Sequence, residues 1–393
     1  MMGYLAAPVH LMQHSTRLKA FKPALRCGRG LLVLSLSGLG LLVGEVRGQH
    51  PQDFAPSKPE RVEYAAGVHI DWRYLTVELD SRVVFRAGPL ELLACSPRTR
   101  EHESILQIPG RPLSIFQALG LVGLEKGSPV RYDQEKDAII PPTGQALTLR
   151  VLAEFPWGRT TVPTEAWMIG AEPRGKPVEP LNWVFAGSYT TDEGEFGADV
   201  DGTLACLVDF STALIAVGEA HSADNELLWV GADPTFIPRE GTRCTLIIHR
   251  RAPPALTLHL AADGRLKLAD QPASAKSAAD AWRTEVERRT GSDSGRKLAG
   301  EVAAAKSSGS QEVNPAQAEA RHPGSESPKG SEVPVRAVVI ELRLDPKVDV
   351  KTVRATLDAL AGEGVPASML LVDPRGAAGL KLDDPRGRKP APR

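Results

Sequence analysis

Cysteine is scarce in this chain of 393 residues, with four in all. Only Cys95, Cys206 and Cys244 lie beyond the basic, apolar amino-terminal stretch, and an odd number cannot all pair within one chain. No C-x-x-C is present, so clustered thiolate ligation of a metal or iron–sulfur centre has no sequence basis. Charge of one sign is also lacking: the formal net charge is −1. No global field draws nucleic acid or anionic lipid, and no RNA- or DNA-binding motif appears. Aromatics are sparse at 5%. No G-x-S-x-G, P-loop, H-E-x-x-H or Rossmann fingerprint occurs, which removes the common hydrolase, nucleotide and zinc-peptidase classes from view. The longest apolar run, residues 31–44, falls short of the roughly 18–20 residues that span a bilayer comfortably.

What is present is a 42% hydrophobic content, enough for packed cores, and abundant turn formers, 36 Gly and 32 Pro. Two or more domains are expected at this length, with many short strands. The amino terminus reads as an export signal over residues 1–48. Arg17, Lys19, Lys22, Arg26 and Arg29 precede LLVLSLSGLGLLVG, and small residues before Gln49 suit cleavage there. Without cleavage the same segment is an anchor, the one route to membrane association. Export predicts a periplasmic or extracellular, cell-envelope location.

Residues 88–108, GPLELLACSPRTREHESILQI, form the richest segment. Apolar strand-like ends enclose Cys95, Arg98, Arg100, Glu101, His102 and Glu103, and such a loop is where sites are often built. One reading makes Cys95 a nucleophile or redox thiol activated by His102. The other makes Cys95 a buried strand cysteine beside a charged turn in which Arg98 and Arg100 pair Glu101 and Glu103. The absence of any established catalytic signature favours the second, with those four charged residues as a binding surface. No metal site is expected: on a strand Glu101 and Glu103 converge without His102. Asp199 and Asp201 lack the further ligands of a calcium loop and are expected in a plain turn. His221 is expected to be solvated. Cys206 and Cys244, both in strand-like runs, either pair or remain buried thiols.

Residues 49–61 read as a linker. Residues 62–250 read as a mainly β domain with one clear helix over 111–124, whose Pro112 suits a first turn. Residues 255–372 read as a small two-layer α/β domain: a hairpin around Asp263-Gly264, a helix over 274–289, a strand, a helix over 350–364 and a last strand. A disordered insertion, residues 290–334, interrupts it, and its two flanks are expected to pair. Residues 373–393 read as a loose tail. The fold class expected is therefore α+β.

Residues 62–250 resemble the YdjY-type domain of exported bacterial proteins. The resemblance rests on residues 88–104, on PPTG at 141–144, WVFAGS at 183–188, GADVDG at 197–202 and Ala213–Ile215. A ferredoxin-like label carried by some relatives implies cluster-binding cysteines. Three widely spaced thiols do not supply them, so no cofactor is expected. Residues 255–372 more faintly resemble the periplasmic domain of ExbD/TolR-type proteins, without that family's acidic membrane helix. Together the resemblances imply a non-catalytic binding or assembly module whose partner is an envelope protein or cell-wall component. The alternative is an exported enzyme or redox protein using Cys95 and His102.

Overall fold

The structure, a computed structural model, describes residues 60–171, 175–222, 228–290 and 336–382. The expected signal, nearly all of the linker and the insertion beyond Thr290 lie outside the described residues. The fold is mainly β with few helices, an α+β arrangement dominated by one large mixed sheet. No described helix is long and apolar enough to cross a membrane.

The sheet runs in the order Trp183–Val184, Ile215–Val217, Thr203–Cys206, Leu92–Cys95, Ser104–Gln107, Thr76–Val83, Arg243–Arg250, Leu147–Phe155, Gly158–Pro163, Leu370–Val372, Ile340–Leu344, Leu256–Leu260, Leu266–Leu268 and Gln271–Ala273. The hairpin Arg61–Ala65 and Val68–Asp71 joins it beside Thr76–Val83. Alternation along Thr76–Val83 explains its two faces. Val77, Leu79 and Val83 point into the core, while Glu78, Asp80 and Arg82 occupy the opposite face by the two-residue period of a strand. Arg82 lies directly opposite Arg243 on the neighbouring antiparallel strand.

The predicted helix appears as Pro112–Leu121. Its buried residues Leu113, Ile115, Ala118 and Leu119 join the core that also contains Val77 and Leu79. Burial of each of the leucine and isoleucine side chains contributes about 1.5–3 kcal/mol.

The strands on either side of the undescribed stretch pair in parallel, Leu256–Leu260 against Ile340–Leu344. Ser274 caps the Ala275–Thr290 helix by accepting the Ser277 N–H at 3.1 Å. Asp349 caps Val350–Gly362 in the same manner, at 2.7 Å to Thr352. The Gly158–Pro163 and Leu370–Val372 strands join in parallel and carry the sheet across from one region to the other. Thr160 and Thr161 hydroxyls both donate to the Leu370 carbonyl, at 2.8 and 2.7 Å, and buried Arg150 donates to that of Ser368 at 2.7 Å. Residues 374–380, inside the span expected to be loose, form two short 3-10 turns with Leu380 buried.

Candidate functional site

The segment between Leu92–Cys95 and Ser104–Gln107 does not turn a hairpin, because the two strands are parallel: Leu92 lies opposite Ser104 and Cys95 opposite Gln107. Residues 96–103 must therefore carry the chain back the length of a strand. Parallel connections normally take a dozen or more residues, so this crossover is tight. Arg98 takes a left-handed φ of 63°, and Glu101–Glu103 form a 3-10 turn. The strand alternation invoked for Glu101, His102 and Glu103 therefore does not apply.

The expected pairing of two arginines with two glutamates is corrected. Arg100 turns inward. Its Nη1 donates to Glu103 at 2.8 Å and to Glu91 at 3.2 Å, and its guanidinium lies 4.5 Å from the centroid of the Phe210 ring. Glu101 instead accepts from Gln107 Nε2 at 2.7 Å and from the Arg98 main-chain N–H. Partial burial opposes ionisation of Glu101, but these donors outweigh it and hold the carboxyl below its usual range. The Arg98 side chain is exposed and meets no carboxylate among the described residues.

Glu91 was not anticipated as a partner. Burial, the neighbouring Glu103 charge and a hydrogen bond between the two carboxyls raise its pKa above the ordinary value, against the opposing pull of Arg100. Its signal in the sequence was a lone carboxylate between Leu90 and Leu92. Such a position reads as buried, and a buried acid needs a partner.

Cys95 and His102 are not assembled into a reactive pair. Cys95 is fully buried, and that burial pushes its thiol up, although the Ser104 and Thr99 hydroxyls and the Arg100 N–H pull the other way. The His102 side chain is 77% exposed and faces Glu103 at 3.5 Å. No hydrogen bond joins it to Cys95 among the described residues. A reactive cysteine needs access and a lowered pKa, and Cys95 has neither in this conformation.

The three cysteines in this part of the chain are free. Three strands separate Thr203–Cys206 from Arg243–Arg250. At about 4.8 Å per strand that is far beyond the roughly 7 Å Cα separation a disulfide tolerates. Cys206 packs instead with Cys95, Leu92 and Ala216 in a small apolar cluster, and burial raises its thiol. Cys244 is likewise pushed up to about 11 by burial.

Asp199 is not in a plain turn but on a single helical turn, Gly197–Asp201, closed by Gly202 at φ 72°. Its carboxylate accepts from the Leu113 N–H at 2.9 Å and from Arg111 Nε at 2.6 Å. Those bonds commit it to structure. His221 is half-buried and stacks on Trp229 at 4.4 Å, rather than being solvated. No group of three or more metal-ligating side chains gathers among the described residues.

Residues 68–249 match the family model of the YdjY domain, and the 96–103 crossover lies inside that stretch. No curated protein and no solved structure matches the chain.

Proposed function

We propose that this is an exported cell-envelope protein that acts as a non-catalytic binding or assembly module, with the 96–103 crossover as a rigid element of its binding surface. The observation that carries the reading is the division of labour among its arginines. Arg100 is half-buried and spent on Glu91, Glu103 and Phe210 of its own chain, while Arg98 stands outward. A crossover cross-linked in this way is ordered before any ligand arrives, which lowers the entropy cost of binding. An outward guanidinium grips a carboxylate or phosphate through two parallel bonds. The partner is accordingly an anionic envelope protein or cell-wall component. The basic leader and short apolar run of residues 1–48 support export. The described elements of residues 255–372, three antiparallel strands, a helix, a strand, a helix and a last strand, support an ExbD/TolR-like assembly role for that part.

Iodoacetamide labelling of the folded protein, read by peptide mass at each cysteine, tests the non-catalytic reading. Cys95 is expected to stay unlabelled between about pH 6 and pH 8 and to react once the chain is unfolded in urea. Rapid labelling of Cys95 near pH ~6 that disappears in His102→Ala would establish the enzyme or redox alternative instead. Amino-terminal sequencing of envelope fractions tests export, with a first residue near Gln49 expected. A cytosolic protein still beginning at Met1 would sink that part.

A further inference from the structure

The face of the sheet that carries Asp80 and Arg82 holds a second basic feature, separate from Arg98. A cleft of about 620 Å³ is lined there by Arg82, Arg159 and Arg243, with Asp80, Gln107 and Thr245 among its other walls. The three arginines come from three different strands, Thr76–Val83, Gly158–Pro163 and Arg243–Arg250. All three side chains are exposed, and none makes a hydrogen bond or ion pair among the described residues.

Their placement costs stability in the free protein. Arg82 and Arg243 are direct cross-strand partners, and like charges in that position repel. Antiparallel sheets ordinarily put opposite charges or β-branched residues there. The carboxylates on this side form no ion pair with Arg82 or Arg243 among the described residues. Asp80 lies 3.4 Å from His69. Glu154 sits opposite Arg159 in its hairpin but forms no ion pair with it among the described residues. A ligand that bridged the guanidinia would turn the repulsion into attraction.

We propose that this cleft is a binding site for a phosphate dianion, either free or as a terminal monoester. The argument for phosphate over carboxylate is one of valence. A carboxylate presents two coplanar oxygens and satisfies one guanidinium fork. A tetrahedral phosphate presents three oxygens in different directions and carries close to two charges near neutral pH. Arg82 and Arg243 supply two facing forks from adjacent strands, calling for more oxygens than one carboxylate can offer both, and Arg159, two strands further across the sheet, lines another wall of the same cleft. Gln107, whose side-chain amide donates to Glu101 at 2.7 Å, is also on the cleft wall. The site does not depend on the role assigned to Arg98.

The test uses the full-length protein and inorganic phosphate as the probe. Thermal unfolding is followed with phosphate and, separately, with sodium chloride at matched ionic strength. Phosphate is expected to raise the midpoint saturably and more than chloride does, because a ligand that binds only the folded state stabilises it. Titration calorimetry of the Arg82→Gln/Arg243→Gln variant should show affinity at least about tenfold weaker, consistent with loss of two charge-assisted contacts. Arg159→Gln should weaken binding by a smaller factor, and Arg98→Gln should leave it unchanged. Methyl phosphate should compete and dimethyl phosphate, a monoanion, should not. The double variant should fold at low salt with a midpoint no lower than the parent, since a like-charge pair has been removed. An equal rise in chloride, or phosphate binding retained by the double variant, would overturn the proposal. Loss of binding in Arg98→Gln alone would transfer the site to the crossover. Equal competition by dimethyl phosphate would overturn the dianion specificity.

Discussion

Asp199 caps the helix that begins at Pro112: its Oδ1 accepts the Leu113 N–H at 2.9 Å across 86 residues of sequence. The residue at the cap position itself, Arg111, makes no side-chain capping bond, so the first turn borrows its acceptor from a distant segment. The carboxylate also meets the positive end of the helix dipole. Asp199→Ala is expected to lower stability by about 1 kcal/mol, and Asp199→Asn by less. Urea unfolding of the two variants measures the difference.

The two arginines of the crossover should behave unlike each other. Arg98→Ala is expected to change stability by no more than about 0.5 kcal/mol, as for most surface positions. Arg100→Ala strands Glu91 and Glu103 against one another and is expected to cost about 2 kcal/mol. The sign of its pH dependence follows from Glu91. A carboxyl whose folded pKa lies above its unfolded value favours folding below the unfolded pKa and loses that contribution as pH rises through the folded one. Arg100 opposes this rise in the parent. Its removal should therefore destabilise more at about pH 8 than at about pH 5, which denaturant titrations at the two pH values would show.

Gly202 ends the Gly197–Asp201 turn in a left-handed conformation, and a side chain there would strike Thr99 in the crossover. Gly202→Ala is expected to cost about 2 kcal/mol, from backbone strain together with the clash. Adding Thr99→Ala should relieve part of the clash, since Thr99 Cβ would still lie 2.8 Å away, and none of the strain. Full additivity of the two substitutions in unfolding experiments would show that the segments do not touch.

His249 gives a pH signature of its own. Burial, reinforced by the Arg150 charge, lowers its pKa from 6.5 to about 3. The unfolded chain therefore takes up the proton first as pH falls. Stability present above about pH 6.5 is lost toward pH 3 at about 1.4 kcal/mol per unit. Asp71, raised to about 6 by burial, contributes the opposite slope between its ordinary value and 6. The comparison must therefore be with His249→Asn rather than with a flat line. Between about pH 8 and pH 5 the parent should lose about 2 kcal/mol more than this variant.

Strongly patterned elements were legible from sequence alone. The expected helices appear at 112, 275 and 350, the first marked in the sequence by Pro112. Gly158–Pro163 was missed because its buried threonines look polar, yet Thr160 and Thr161 owe their burial to a carbonyl contributed by Leu370. The composition of the crossover marked it as unusual, but its direction did not show. A parallel return over so few residues leaves no periodic trace, and the residues that anchor Arg100, Glu91 and Phe210, lie outside the charged cluster. The Arg82–Arg243 pair was invisible for a similar reason, since it exists only once strand register is set.

The parallel contact between Gly158–Pro163 and Leu370–Val372 sets a timetable for synthesis. The earlier strand leaves the ribosome long before its neighbour, and until residue 372 has emerged one of its edges has no backbone partner. An open strand edge is a template for pairing with other chains, and contacts of such sequence separation form slowly. The order in which this chain is made thus exposes the middle of its own sheet. Truncation anywhere before the last strand would make that exposure permanent, leaving a product prone to aggregate rather than a smaller version of the same protein.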